Sequence, residues 1–279
     1  MYGFLGPNGA GKTTAIRHIM GFSRPQNGRT FVNGLDSWKN ASEIQKNLGY
    51  LPGEIALPES LTGTQFIKMM ADLRGLTNMS HTNYLIEKFE LDPSGRLKRM
   101  SLGEKRKLAV VTAFMHDPDV LVLDEPTSGL DPIMQDTFIE FIREEKVKGK
   151  TILLSSHIIT EIDATCDKIS IIKDGCLIST FVADDLRNKI DKTFKIEFIS
   201  NDDFHQFEKN VLHFKNLDVV ALNPNKKQVT ISVNNKHMNE LVNVLSNYHL
   251  KFFSEIKITL EDYFMKFYDR NSTDEGGAK

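Results

Sequence analysis

The sequence predicts an α/β chain: a parallel sheet with crossover helices, followed by a small α+β unit of ferredoxin-like βαββαβ order. Three observations carry this. The runs 2–5, 48–51, 120–123 and 151–155 are apolar and strand-sized without polar alternation, as in strands covered on both faces. Segments of helical period separate them. A polar, charged stretch near 182–193 then precedes a second series of short segments.

Composition sets the outer bounds. The 279 residues are 40% apolar and 26% charged, the make-up of an ordinary globular chain with a sizeable core. Lys+Arg number 35 against 37 Asp+Glu, so no basic excess argues for a nucleic-acid partner. Two cysteines, Cys166 and Cys176, exclude a disulfide framework. No run approaches the ~18 apolar residues that span a bilayer. The opening Met-Tyr-Gly-Phe-Leu-Gly has neither the basic nor the long apolar region of a signal peptide. A membrane role is therefore expected to come through a partner.

In order along the chain, 2–5 is a strand, 6–11 a glycine-rich loop and 13–20 a helix. Pro25-Gln26-Asn27-Gly28 is a turn before a short strand at 30–32. Pro52-Gly53 stops the strand at 48–51. From 62 to 113 the pattern is helical: Phe66, Met69, Met70 and Leu73 recur at helical spacing, as do Tyr84, Leu85 and Phe89, and both stripes are expected in the core. Strand 120–123, helix 134–147, strand 151–155, helix 159–165 and strands 168–172 and 176–179 follow. The later unit reads as strand 194–199, helix 202–213, strands 217–222 and 228–233, helix 237–248 and strand 252–258. A last amphipathic helix carries Leu260, Tyr263, Phe264 and Phe267, and a disordered tail is expected over 271–279.

Gly6-Pro7-Asn8-Gly9-Ala10-Gly11-Lys12-Thr13 fits G-x-x-x-x-G-K-[ST]. Glycines let the backbone turn so that several N–H groups converge on phosphates, and the helix that follows adds its positive end. Lys12 is expected to neutralise the β- and γ-phosphates, and the Thr13 hydroxyl to ligate Mg²⁺. The strand 120–123 runs into Asp124 and Glu125. Asp124 is the expected Mg²⁺ residue and Glu125 the general base for the attacking water. Alone, two carboxylates at a strand end could be no more than a solvated edge; beside the phosphate loop they supply the other half of a metal–nucleotide site.

Three further segments complete an ordered set. Met100-Ser101-Leu102-Gly103-Glu104 opens a helix before the acidic strand, Ser128-Gly129-Leu130-Asp131 follows it, and His157 ends the next apolar strand. Together, over about residues 2–180, these resemble the nucleotide-binding subunit of an ATP-binding cassette (ABC) transporter. The resemblance implies a P-loop NTPase fold with a RecA-like parallel core sheet. It also implies an ABC nucleotide-binding domain over 1–185, a helical subdomain at about 60–113 and an accessory domain over 194–270. It implies ATP and Mg²⁺ as cofactors, with residues 6 to 14, Thr14 included, around the phosphates and His157 at the γ-phosphate. Two subunits, alike or different, sandwich two ATP molecules, so Ser101 and Gly103 are expected to act on the partner's nucleotide, and Asp131 to couple the sites. The remaining histidines show no metal-ligand spacing, and the Ser101–Glu104 pair also fits a plain capping box before a basic helix, Lys105-Arg106-Lys107.

The sequence departs from that pattern in three places. By that resemblance, family members carry strands and an adenine-stacking aromatic upstream of the phosphate loop; these are missing here, so a fragment, a mis-started reading frame or a degraded subunit is expected, with poor solubility. Gly53 stands where the family has glutamine, with Glu54 adjacent. Leu102 replaces a glycine. The leading expectation is the ATPase subunit of a bacterial ABC-2 type exporter. It would power a separate transmembrane permease from the cytoplasmic face of the membrane, with segment 54–75 receiving that permease. Two other readings stay open: a truncated or vestigial subunit that does not hydrolyse ATP, and a soluble ABC ATPase acting on ribosomes or DNA.

Overall fold

The computed structural model describes residues 1–185, 192–211, 214–256 and 264. These fall into two compact units, Met1–Ala183 and Asp184 onward.

The first unit is built on β1 (Tyr2–Leu5), α1 (Lys12–Ile19), β2 (Phe31–Val32), β3 (Leu35–Asp36), α2 (Ala41–Asn47) and β4 (Leu48–Leu51). Then come α3 (Gly63–Arg74), α4 (Ser80–Lys88), α5 (Leu102–Phe114), β5 (Val120–Asp124) and α6 (Pro132–Val147). It closes with β6 (Thr151–Ser156), α7 (Ile159–Thr165), β7 (Lys168–Lys173) and β8 (Cys176–Val182). The sheet order is β4-β5-β6-β1-β7-β8. β1 pairs in parallel with both β6 and β7, and only β8 of this sheet runs antiparallel. Parallel pairing aligns the strands' C-terminal ends. Leu5 lies opposite Ser156, and Asp124 opposite Ser155, so the loops that leave β1, β5 and β6 emerge at one sheet edge.

The helices hold that edge still. α5 is buried on almost every side, from Leu108 to Phe114, which is why it reads as apolar without a polar stripe. Phe114 and Phe89 both meet Phe141 edge-on, at centroid distances of 4.9 and 5.4 Å, and so lock α5 and α4 to α6. α3 starts at a capping box between Thr62 and Gln65 and ends at Gly75 in a left-handed cap.

The expected core stripe on α3 is wrong in phase. Ile67 and Ala71 are the buried pair, whereas Leu73 is 73% exposed and Met69 is also exposed. Two apolar stripes share the helical period here, and periodicity alone does not say which one meets the core. On α4, Leu85 and Phe89 are buried as expected, but Tyr84 is exposed. The short strand β3 and the helix α2 were not expected: α2 has a single buried apolar anchor, Ile44, too little to mark a period. β8 extends beyond 179 to Val182.

The second unit contains β9 (Lys192–Phe198), α8 (Asn201–Val211), β10 (Leu217–Asn223), β11 (Gln228–Val233), α9 (Met238–Leu245) and β12 (Leu250–Ile256). All its strand pairings are antiparallel, in the order β10-β11-β9-β12, which is the ferredoxin-like arrangement. Phe194, Ile196, Phe198, Val229 and Ile231 alternate onto one face and meet Phe204, Phe207 and Leu241 of the two helices. The outer end of strand 252–258, Leu260, Tyr263 and Phe267 of the last amphipathic helix, and the expected tail lie outside the described residues.

One partly buried polar contact makes the first unit pH-sensitive. Arg74 Nη1 donates to His116 Nε2 at 2.8 Å and to the Lys46 carbonyl at 3.3 Å, joining the ends of α3 and α2 to the turn before β5. Burial, helped by the Arg74 cation, pushes His116 down to about 4. The unfolded chain, with His near its ordinary ~6.5, therefore takes up this proton first. The contribution is fully present above that value and is lost as pH falls toward 4. The thermal midpoint should drop over this window, and His116→Gln should make the drop shallower.

Candidate active site

The phosphate loop occupies the turn from β1 to α1. At Gly6 a Cβ would lie 2.3 Å from the Ile172 carbonyl oxygen, so a side chain is excluded where the loop leaves the sheet. Gly11 takes φ of 101°, a left-handed turn that frees α1 to start at Lys12. No side chain caps α1 and its first turn holds no acid, so its leading N–H groups face the loop unclaimed. Pro7, Asn8 and Gly9 form the exposed tip, Ala10 is buried, and Thr13 and Thr14 are exposed at the start of α1.

The side chains expected at the site meet there. Lys12 is 5% exposed and curls back over the loop, donating to the carbonyls of Gly6 at 2.7 Å and Pro7 at 3.1 Å. Its ammonium also pairs with Glu125 Oε1 at 3.1 Å. Thr13 Oγ1 donates to Asp124 Oδ2 at 2.8 Å, and Ser155 Oγ donates to Asp124 Oδ1. Asp124 is wholly buried, which two hydroxyl donors make tolerable. Glu125 turns out of the strand at φ of 46°, a costly value for a residue with a side chain. Its Oε2 shares a hydrogen bond with His157 Nδ1 at 2.7 Å. A continuous chain therefore runs Lys12–Glu125–His157, beside the pair Thr13–Asp124.

Three expected residues stand outside this network. Ser101 caps α5: it accepts from the Glu104 N–H at 3.2 Å and donates to Glu104 Oε2 at 2.8 Å. Gly103 faces the Gly129 carbonyl, where an added Cβ would sit 3.2 Å away. Asp131 caps α6, accepting from the Met134 N–H at 3.0 Å. Gly53 does border the site, since a Cβ there would lie 3.2 Å from Asp124 Oδ2; Glu54 is exposed.

The donor set fits Mg-nucleotide. Thr13 and Asp124 offer hard oxygen ligands side by side, the type Mg²⁺ takes alongside phosphate. The loop, the uncapped helix start and Lys12 offer converging donors for the phosphates themselves.

Sequence reasoning missed Arg106, which it read only as part of a basic helix start, Lys105-Arg106-Lys107. Arg106 is 2% exposed and donates to the carbonyls of Ser128 at 2.8 Å, Pro52 at 2.8 Å and Gly53 at 2.6 Å. Burial pulls its pKa down, and the charges of Asp124 and Glu125 oppose that. The signal was its place on α5: residues 106 and 110 share one face of the helix, and the residues from Leu108 to Phe114 are buried. Ser155, the second donor to Asp124, was likewise read only as part of a strand. The Asp124 charge, after burial, also pushes Tyr50 up to about 12.

Comparisons with known proteins agree with this geometry. Residues 1–128 match the ABC transporter family model. The chain is 37% identical over 182 residues to the ABC transporter ATP-binding protein NatA of Bacillus subtilis, covering 63% of this chain and 74% of NatA. It is 34% identical over 192 residues to the bacitracin transport ATP-binding protein BcrA of Bacillus licheniformis, covering 68% and 63%. A solved ATP-binding subunit of an ABC transporter superposes with a TM-score of 0.63 at 32% identity, over 68% of this chain and 81% of that one. The chain belongs to the ABC transporter family, as an ATP-binding subunit with the P-loop NTPase fold. It is accordingly an ATPase that works with ATP and Mg²⁺ in an ATP-driven transport system, and the non-hydrolysing and ribosome- or DNA-directed readings are not favoured.

Arg106 offers a direct check. Lysine keeps the charge but cannot fork over three carbonyls. Arg106→Lys should cost about 2–3 kcal/mol of stability in chemical denaturation, the cost of leaving buried carbonyls unpaired.

Proposed function

We propose that the chain is the ATPase of a bacterial export system and powers a separate transmembrane permease from the cytoplasmic face of the membrane. The observation that supports this most is the meeting of Lys12, Thr13, Asp124, Glu125 and His157 at one sheet edge. In this reading Gly6, Pro7, Asn8, Gly9, Ala10, Gly11 and Thr14 surround the phosphates with N–H and hydroxyl donors. Lys12 exchanges Glu125 for the β- and γ-phosphates when ATP enters. Glu125, released from Lys12 but still held by His157, takes the proton of the attacking water. His157, half-exposed at the end of β6, faces the γ-phosphate. Thr13 and Asp124 hold Mg²⁺, which supplies charge neutralisation of the phosphate oxygens.

Ser101, Gly103 and Asp131 stand apart from this network within one chain, which suits residues that complete the site of a second nucleotide-binding subunit, the same or different. The α5 N-terminus bearing Ser101 and Gly103 then lies on the other subunit's γ-phosphate, and Asp131 links the two sites. Residues 1–185 act as the nucleotide-binding domain and 194–270 as an accessory domain. On the helical segment, Met69 and Leu73 leave an apolar exposed face on α3, a suitable seat for a permease. The similarity to a bacitracin transport ATP-binding protein supports a role in transport.

Size-exclusion chromatography of Glu125→Gln with and without Mg-ATP tests the assignment. A nucleotide-dependent shift from monomer to dimer is expected, with turnover nearly abolished because the base is gone while the cradle stays. Lys12→Ala should weaken ATP binding, and Ser101→Arg should block the shift while sparing binding by the monomer. Wild-type turnover in Glu125→Gln would overturn the role of Glu125, and equal loss of binding and dimerisation in Ser101→Arg would overturn its role across the interface.

A further inference from the structure

One buried acid next to the site has no role in this account. Glu161 lies in the first turn of α7, is 2% exposed, and has both carboxyl oxygens buried without a hydrogen-bond partner. The groups facing it are the hydroxyls of Ser156 and Thr127 and, further off, the charge of Glu125. Burial, reinforced by Glu125, raises Glu161 to about 7; the two hydroxyls favour its charged form without reaching full hydrogen-bond geometry.

The neighbours give this position its meaning. Ser156 is the residue before His157, is itself fully buried, and its Oγ accepts from the Ile158 N–H at 2.9 Å, turning the chain on either side of His157. Thr127 is 2% exposed and follows Glu125 by two residues. The carboxyl thus sits beneath both loops, the one that aims Glu125 and the one that aims His157. A cavity of about 410 Å³, which Glu161 and Thr127 line together with Gln135, Glu140, Arg143 and Ile158, leaves room for the carboxyl to move. An orphaned buried carboxyl is costly wherever packing alone is needed. A carboxyl is, however, suited to span two hydroxyls, since each of its oxygens can accept, and its protonated form can also donate.

We propose that Glu161 is a positioning residue for ATP hydrolysis: its carboxyl bridges the Ser156 and Thr127 hydroxyls when the site closes on nucleotide, setting the spacing of Glu125 and His157. The proposal rests on the catalytic roles given above to Glu125 and His157. Glutamine retains a carbonyl acceptor and the shape of the side chain, whereas alanine removes the bridge.

Single-turnover ATP hydrolysis by the full chain, equilibrium binding of a fluorescent ATP analogue and thermal melting, each on Glu161→Ala and Glu161→Gln, form the test. Glu161→Ala should slow the hydrolytic step about tenfold, the scale of losing a partner that orients a catalytic group, with the ATP dissociation constant unchanged within about twofold. Glu161→Gln should recover the rate to within about threefold of wild type. Wild-type hydrolysis in Glu161→Ala would overturn the proposal. So would a parallel loss of binding, rate and melting temperature, which marks a scaffold role, or a Gln variant as slow as Ala. Glu125→Gln run alongside separates the two levels: if it hydrolyses normally, the catalytic assignment fails, and if it is dead while Glu161→Ala is normal, only the bridge fails.

Discussion

The parallel pairing of β1 between β6 and β7 is the constraint on which the site depends. It is a backbone feature, but its effect is electrostatic. It brings the end of β1, where the phosphate loop starts, next to β6, which leads into His157 and has β5, ending in Asp124, on its other side. Charges at that edge must satisfy one another. Thr13 and Ser155 hold Asp124, Lys12 and His157 hold Glu125, and Lys12 finds its remaining partners in the loop's own carbonyls. Each group thus has a partner within the chain, and in the proposed function Lys12 gives up Glu125 for phosphate oxygens.

Much of this was legible in the sequence because the relevant signals are local. A glycine-rich loop between an apolar run and a helix, and a pair of acids ending another run, carry their chemistry in residue order. The βαββαβ order of the later unit was legible for the same reason, from turns and alternation. What was not legible is what depends on direction. Arg106 sits in a run of three basic residues, and only its spacing of four from the buried Val110 marks it as the one that points inward; its partners at Pro52, Gly53 and Ser128 come from distant loops. Glu161 was not singled out, because a short helix such as 159–165 gives too few turns to show which side is buried. The α3 stripe was misread because two apolar faces shared one period, and the less obvious pair, Ile67 and Ala71, won the core.

The buried charged groups also sort by what they hold. Arg106 gathers backbone from two loops, and Lys150 pairs with Glu145, which is fully buried. These are structural pairings in which each charge has a fixed partner. Glu161 differs in having none, and Lys12 and Glu125 differ in having partners that the proposed function has them surrender. The distinction between a charge that is anchored and one that is exchangeable separates scaffold from site here more sharply than burial does, since Arg106, Lys12 and Asp124 are all buried.

The fork of Arg106 has a mechanical consequence. Arg106 lies just over one helical turn, about 7 Å of rise, beyond Ser101 at the head of α5. Its three bonds fasten that part of the helix to the loop bordering Asp124 and to the loop that follows Glu125. Pressure applied to the head of α5 is therefore delivered to the walls of the chain's own metal–nucleotide site, with no intervening hinge. A rod gripped so close to its end transmits displacement instead of absorbing it, so whatever docks on Ser101 is felt at Asp124 and Glu125 without any further moving part.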